Sequence, residues 1–331
     1  MQSRRQFIAT TTAGASLVAA GMAGGIPEAQ ASGKRHGEIV RVTSDKLIGK
    51  RGRPVQETAN QMLDLAMTTY MGKKKVADCW SALFTKDDKV VIKINCLGKP
   101  KMSTNPEVVK AIIAGLKAAG VPEGNIVVYD HFGGHMRQSR YRLTKKKGAV
   151  RYHGRDKKKG FEKKDRKHAS GKTRLATVML WATKIINVPV IKNHSLAGVT
   201  GALKNISHGC VINPQRHHRK NCDPHIANIY NIPELRDRVA LIVCDGTYLQ
   251  YDGGPQFSAG ARKPFNSIFV TKDPVAMDTM ILQYVNEFRK AKRKRLVGKG
   301  KYALPTHIAT AAGLGLGTND PAKIKVTEKK L

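Results

Sequence analysis

The densest group of residues able to bind a metal or move a proton lies between Ser207 and His225. The stretch reads SHGCVINPQRHHRKNCDPH and holds four of the chain's 11 histidines and two of its five cysteines. Histidine nitrogen and cysteine sulfur are common ligands of transition metals, and histidine also transfers protons near neutral pH. The stretch is therefore consistent with a metal site, a disulfide-closed loop or the polar lining of another pocket.

The spacing within this stretch does not decide among the three. The candidate ligands follow one another as Cys210, His217, His218, Cys222 and His225, which matches no common zinc spacing. A disulfide between Cys210 and Cys222 would close a short loop and contribute ~3 kcal/mol on the chain-entropy model. The central RHHRK segment is equally typical of a solvated basic loop.

The spacing of the cysteines argues against two classes of cofactor. The chain has no C-x-x-C pair, no C-x-x-C-H run and no ferredoxin-type cysteine run. The sequence therefore predicts neither c-type haem nor a standard iron–sulfur cluster, while a transition metal stays possible.

The charge balance points to an anionic partner. The chain of 331 residues carries 59 Lys and Arg against 24 Asp and Glu, a formal net charge of +35. Basic residues concentrate in 137–174 and in RKAKRKRLVGKGK, residues 289–301. These runs predict either solvated insertions or docking to an anionic surface or acidic protein, and a small anionic ligand is also possible. They lack the interleaved aromatic residues of nucleic-acid modules, which argues against nucleic acid.

The amino terminus has the pattern of an export signal. Arg4 and Arg5 precede a mildly apolar run that ends in the small residues of AQA, residues 29–31. We interpret residues 1–31 as a cleaved twin-arginine signal peptide, with a membrane anchor as the alternative. Residues 32–331 would then be a single domain located in the periplasm or outside the cell, with no later transmembrane span.

Strand and helix patterns alternate along the chain. KVVIKINCL (89–97), NIVVYD (125–130), KIINVPVIK (184–192) and VALIVCDG (239–246) read as strands, and STNPEVVKAIIAGLKAAG (103–120) reads as a helix. This order predicts an α/β fold with a mainly parallel sheet flanked by helices. A basic insertion, 135–175, interrupts the series, and a basic extension, 289–331, follows it.

Polar residues fall where the predicted strands end. Asn95, Asp130, His194 with Lys192, and Asp245 occupy such positions. Ligands of open parallel sheets bind at the carboxyl ends of the strands, so the sequence predicts a pocket there.

Several of these segments resemble one family. In order, VVIKIN, TNPEVVKAIIAGLKAAG, INVPVIKNHSLAGVTGALKNISHG, DPHIANIYNIPEL, CDGTYLQYDGGP and TKDPVAMD are similar to the family named domain of unknown function 362, over roughly 85–285. Some members carry a ferredoxin module, which implies a redox association. This chain lacks the cysteine runs of that module.

HSLAGVTGALKN also resembles the H-x-x-A-G-x-x-G-x-x-K segment of nickel-pincer lactate racemases. The resemblance implies that His194 transfers a proton and that Lys204 is linked to the cofactor or faces it. Gly198 and Gly201 would let the backbone approach a ligand, and the next helix could hold an anion at its N-terminus.

The sequence thus predicts one pocket with a catalytic histidine and a set of binding residues. His194 is the candidate catalytic residue, and His208 and His225, which both lie in family-like motifs, are the candidate metal ligands. The candidate cofactor-binding residues are Lys192, Gly198, Gly201, Lys204, Asn205, Asn95 and Asp245. The segment between His208 and His225 is expected to be a basic loop.

Three functions are consistent with these features. The first is a protein that binds an anionic ligand, cofactor or metal, with a possible redox association. The second is a cofactor-dependent enzyme, an oxidoreductase or a racemase-like isomerase that uses His194 and Lys204. The third is a non-catalytic basic protein that docks to an acidic partner or anionic surface.

Overall fold

A ten-stranded mixed sheet organises the computed structural model, which describes residues 36–154, 160–300 and 302–331. The strands are β1 (Glu38–Thr43), β2 (Val90–Lys93), β3 (Ile126–Asp130), β4 (Arg151–Gly154), β5 (Arg166–His168), β6 (Gly171–Thr173), β7 (Lys184–Asn187), β8 (Val190–His194), β9 (Gly198–Thr200), β10 (Val239–Gln250), β11 (Arg262–Thr271) and β12 (Lys325–Lys330). In the ten-stranded sheet the strands lie in the order β12-β1-β11-β10-β7-β2-β3-β4, and β8 pairs with both β10 and β9. β5 and β6 form a separate antiparallel hairpin.

Helices cover both faces of the sheet. They are α1 (Gln56–Met71), α2 (Val76–Ser81), α3 (Pro106–Ala118), α4 (Gly133–Gln138), α5 (Thr177–Trp181), α6 (Ala202–Ser207), α7 (His225–Tyr230), α8 (Pro233–Arg236), α9 (Pro274–Ala291) and α10 (His307–Gly313). Short 3₁₀ segments span Glu123–Asn125, His208–Cys210, Pro214–Cys222 and Ala259–Ala261. Among these helices, none combines the length and apolar character needed to cross a membrane.

The sheet is parallel through its centre. β4, β3, β2, β7 and β10 pair in parallel, as do β10 with β8 and β1 with β12. β11 runs antiparallel to both β1 and β10. Apolar residues bury on both faces, one cluster packing with α1 and α3 and the other with α6, α7 and α9. The predicted α/β class with a mainly parallel sheet is confirmed.

The predicted elements differ from the observed ones mainly at their ends. The predicted strand 184–192 is two strands, β7 and β8, because a break at Val188 and Pro189 turns the chain and lets β8 pair with β10 further along. The predicted signal segment 1–31 lies outside the described residues, as do 155–159 of the predicted insertion.

The basic segments are more integrated than a solvated insertion. β4 extends the main sheet, and Phe161 is buried in the core. Arg166 pairs with Glu162 and Glu234 at 2.7 and 2.6 Å. In the C-terminal extension Arg289 is fully buried, and β12 pairs with β1. Long arginine side chains bury their stems when the guanidinium finds partners, so these runs also serve the fold.

Asp273 joins three distant parts of the chain. Its carboxylate caps α9 by accepting the backbone N–H groups of Val275 and Ala276 at 2.9 and 2.8 Å. The other oxygen accepts the N–H groups of Gly37 and Thr318 at 2.9 and 3.0 Å. One buried carboxylate therefore satisfies four main-chain donors.

We expect Asp273→Ala to lower the free energy of unfolding by about 2–4 kcal/mol, since it removes a helix cap and leaves buried N–H groups unpaired. Chemical denaturation measures the change. Asp320→Ala is the control, because Asp320 accepts one exposed N–H, from Ala322. Equal stability of the two variants would contradict this role for Asp273.

Candidate functional site

A cavity of about 290 Å³ opens where β2, β3 and β8 end. Its polar lining comprises Lys93, Asn95, Asp130, His131, His135, His194, Ser195, Thr200, Lys204, Asn205, His208, Gln215 and His218. Leu97, Phe132, Leu196, Pro214 and Pro255 supply apolar walls. Of the predicted site residues, the structure brings His194, Lys204, Asn205, Asn95 and His208 to this cavity.

A buried ion pair forms the floor of the site. Lys93 Nζ lies 2.8 Å from Asp130 Oδ1, and Asp130 Oδ2 accepts the backbone N–H of Cys96 at 2.8 Å. Lys93 also donates to Asn205 Oδ1 at 3.1 Å. Asn205 donates back to the Lys93 carbonyl at 3.2 Å, which ties α6 to β2. Asn205 thus links α6 to β2 and also lines the cavity.

Two further lysines are buried without a carboxylate partner among the described residues. Lys192 lies behind the lining and donates to Asn95 Oδ1 at 3.1 Å. Lys204 Nζ lies 3.2 Å from His218 Nε2 and 3.9 Å from Cys222 Sγ. The region therefore holds three lysines and one carboxylate, Asp130.

Burial lowers the pKa of both unpaired amines. The pKa of Lys192 falls to about 8, chiefly through burial; Lys93 and Lys204 lower it further, while Asp130 and Cys96 oppose the shift. The pKa of Lys204 also falls to about 8 through burial, against an opposing contribution from Cys222. Both amines therefore titrate within reach of physiological pH.

His194 is held as a neutral hydrogen-bond donor. Its Nδ1 accepts the backbone N–H groups of Leu196 and Ala197, both at 3.1 Å. An acceptor nitrogen carries no proton, so in the neutral ring the proton is on Nε2. Burial, followed by the charge of Lys204, holds the pKa of His194 well below its usual value. In this state Nε2 can donate to a ligand and cannot take up a proton.

Two residues that we assigned to a basic loop belong to the site. One ligand-capable atom from each of His208, His218 and Cys222 lies within 4.8 Å of the others. The assignment is right for Arg216 and Lys220, which are exposed, but Cys222 is buried and His218 lines the cavity. The i,i+4 spacing of His218 and Cys222 was the available sequence signal.

The structure does not bring His225 into this group. Its Nδ1 lies 3.1 Å from Ser170 Oγ, and its ring centre is 5.4 Å from that of His217. The His217 ring lies 5.9 Å from that of His168. His225 thus lies with His217 and His168 next to the β5–β6 hairpin, and His217 connects these histidines to His208.

We expected Gly198 and Gly201 to let the backbone approach a ligand. In the structure both glycines allow close contacts within the protein. Gly201 faces the carboxylate of Asp278, which would lie 2.1 Å from an added Cβ. Asp278 accepts the N–H groups of Ala202 and Leu203, so a carboxyl group of the protein already occupies the α6 N-terminus. Gly198, at φ +75°, packs its backbone against the carbonyl of Ala303.

Asp245 does not line the cavity. Its carboxylate accepts the backbone and side-chain N–H groups of Asn105 at 2.7 and 2.9 Å, and the Thr247 hydroxyl at 2.6 Å. These bonds fix the start of α3 and leave Asp245 with a structural role. Cys210 and Cys222 are both free thiols, so the disulfide that the sequence left as one alternative is not formed.

His307 is a buried histidine that the sequence analysis missed. It is fully buried on α10, and neither ring nitrogen has a hydrogen-bond partner among the described residues. Burial and then the charge of Lys204 lower the pKa of His307 to about 3. It lies beyond the family-like motifs, and its neighbours in sequence carry no recognisable signal.

The arrangement has two chemical capacities. The excess positive charge of Lys192 and Lys204, with the Nε2–H of His194, can bind an anion. The nitrogen and sulfur ligands of His208, His218 and Cys222 are of the kind that bind transition metals.

Comparisons with known proteins bear on the fold and the family. A search of curated proteins gives no match. Among solved structures, the chain is similar to the lactate racemase apoprotein from Thermoanaerobacterium thermosaccharolyticum, with 16% identity and a TM-score of 0.41. That match covers 74% of this chain and 57% of the racemase chain. At this level of similarity no activity is transferred.

A family model matches residues 90–283, close to the range 85–285 expected from the motifs. The matched range contains the strand ends, the three lysines and the His208, His218 and Cys222 group. His307 and β12 lie outside it. The match covers more than half of the chain, and the protein therefore belongs to the family described as domain of unknown function (DUF362).

Proposed function

We propose that the cavity binds a small organic anion and that the protein works as an exported anion-binding protein or enzyme. The observation that carries this proposal is the pair of buried lysines, Lys192 and Lys204, which have no carboxylate partner in the described part of the chain. Burying an unpaired ammonium group is unfavourable, and a bound carboxylate or phosphate would supply the missing counter-charge.

The shape and lining of the cavity favour a small ligand with an apolar part. Its volume, about 290 Å³, is near the lower end of ligand pockets. Leu97, Phe132 and Leu196 would contact the apolar part of the ligand. Lys204 would pair with the anionic group, and His194 Nε2–H would donate a second hydrogen bond.

We expect Lys204→Met to weaken binding of a small anion by at least about tenfold, equivalent to about 1.4 kcal/mol. Acetate, lactate, pyruvate and phosphate are suitable probes, and calorimetry measures the affinity. Lys86→Met is the matched control, since it removes the same charge from an exposed position. The proposal fails if no probe binds the native protein, or if both variants bind a probe equally well.

Anion affinity is expected to fall as pH rises from 7 to 9, because Lys192 and Lys204 lose their charge with pKa values of about 8. Exposed lysines, with pKa near 10.4, would keep the affinity constant over this range. Affinity should not rise between pH 7 and 5.5, because His194 has a strongly lowered pKa and that of His218 is about 4. Calorimetric titrations across this pH range test both statements.

A racemase-like enzyme is the second candidate, because His194 and Lys204 line the same cavity. In that candidate Lys204 would carry a covalently attached cofactor and His194 would transfer the proton. The hydrogen bonds to His194 Nδ1 oppose a role of His194 as the base, since Nε2 already carries the proton. Intact-mass measurement of protein purified from its natural host separates the candidates, because only the second requires an adduct on Lys204.

A non-catalytic basic accessory protein is the third candidate, supported by the net charge of +35. In that candidate, contacts with an acidic partner would come from the basic runs and would weaken steeply with added salt. Binding of a small anion inside the cavity would depend less on salt, because buried charges are screened less.

The cellular location that we propose rests on the pattern of residues 1–31. We infer export by the twin-arginine route from Arg4 and Arg5 and from the small residues at 29–31. Replacing both arginines with lysine should retain the protein in the cytoplasm, whereas Arg51→Lys with Arg53→Lys should not. Cell fractionation and N-terminal sequencing provide the measurement, with Ser32 expected near the mature terminus. Undiminished export of the first variant would disprove the route.

A further inference from the structure

We infer that His208, His218 and Cys222 form a binding site for one transition-metal ion of the Zn²⁺ and Co²⁺ class. Their ligand-capable atoms lie within 4.8 Å of one another, and His208 and Cys222 are buried. The group offers two nitrogens and one sulfur and includes no carboxylate. Such a set favours zinc, cobalt, nickel or copper over the oxygen-binding Mg²⁺ and Ca²⁺.

An unusual chain reversal places the sulfur in the group. Arg219 is extended, and Lys220, Asn221 and Cys222 follow with φ values of 49°, 57° and 70°. Residues other than glycine seldom adopt this left-handed conformation, and three in succession persist only where their surroundings hold them. Cys222 thus lies near His218 although the chain between the two residues is not helical.

Main-chain carbonyls fix the orientation of both histidines. His218 Nδ1 donates to the Pro214 carbonyl at 3.0 Å, so Nε2 retains its lone pair. His208 Nε2 donates to the His217 carbonyl at 3.2 Å, which leaves Nδ1 facing the Ser207 hydroxyl at 3.2 Å. That hydroxyl can rotate away. Metal-ligating histidines are commonly oriented by such carbonyls through the other ring nitrogen.

A cation already stands at this position. Lys204 Nζ lies 3.2 Å from the His218 Nε2 lone pair and 3.9 Å from Cys222 Sγ. The ammonium thus occupies the side of both groups that a metal ion would use. His218 Nε2 and Cys222 Sγ therefore face a common point that a cation can occupy.

Metal binding would displace the ammonium and leave one open coordination position. The Cys222 S–H bond breaks, its proton passes to solvent, and the sulfur electron pair forms the bond to the metal. No group is oxidised or reduced, and Lys204 keeps its proton as it moves away. Three protein ligands leave a fourth tetrahedral position, as in catalytic zinc sites. Because His208 and His218 line the cavity, a ligand in the cavity can fill that position.

The test is titration of the untagged, chelator-treated full chain with Co²⁺ and Zn²⁺. We expect one equivalent of Co²⁺ to bind, with a thiolate-to-cobalt charge-transfer band in the near ultraviolet. His218→Gln should weaken binding by at least about tenfold, since even residues that only orient metal ligands contribute that much. Cys222→Ser should abolish the band.

His225→Gln is the matched control, because His225 is close in sequence and lies outside the group. Lys204→Met should bind Co²⁺ at least as tightly as the native chain, since it lacks the competing ammonium. Circular dichroism confirms the fold of each variant. Absence of the band in the native chain, or equal loss of binding in His225→Gln and His218→Gln, would overturn the site. Metal content is measured without any anion, so failure of this site and failure of anion binding are separate results.

Discussion

The ion pair between Lys93 and Asp130 is the interaction on which the site depends. It joins the ends of β2 and β3, and Asn205 extends it to α6. A buried pair is stable only when its remaining donors and acceptors are satisfied, and here the Cys96 N–H and the Asn205 amide satisfy them. Asp130 is the only carboxylate that lines the described cavity. Because it pairs with Lys93, Lys192 and Lys204 remain without a counter-charge. The excess of positive charge in the pocket results from this lack of carboxylates.

Lys204 connects the two chemical halves of the cavity. On one side it faces the space in which an anion would bind, and on the other it contacts His218 and Cys222. If a metal occupies the second side, the ammonium is released towards the first, and the metal adds its own charge. Metal and anion binding would then favour each other, and linkage requires the effect to be equal in both directions.

Local patterns predicted the fold and part of the site. The strand ends placed Asn95, Asp130 and His194 at one edge of the sheet because parallel strands bring their carboxyl ends together. The cap that Asp273 provides for α9 is equally local, since cap and helix are adjacent in sequence. Export and the roles assigned to His194 and Lys204 in chemistry remain predictions.

Long-range contacts account for what the sequence did not show. Gly201 looked like a ligand-approach glycine, but Asp278, more than 70 residues later, takes the place of the ligand. The left-handed backbone at Lys220 and Cys222 could not be predicted from the sequence, since lysine and cysteine seldom adopt it. Closeness in sequence was also a poor guide to the site. His225 is close to His218 along the chain but does not join the group of His208, His218 and Cys222.

The pairing of β1 with β12 sets a temporal order for folding. Arg41 and Glu328, 287 residues apart, are neighbours across these parallel strands, and Asp273 binds Gly37 and Thr318 on the same side of the molecule. The pairing of β1 with β12 therefore forms only after the chain has been synthesised beyond residue 325. Until then the unpaired edge of β1 is exposed to other chains, so a chaperone that shields this edge during synthesis would protect the protein from aggregation.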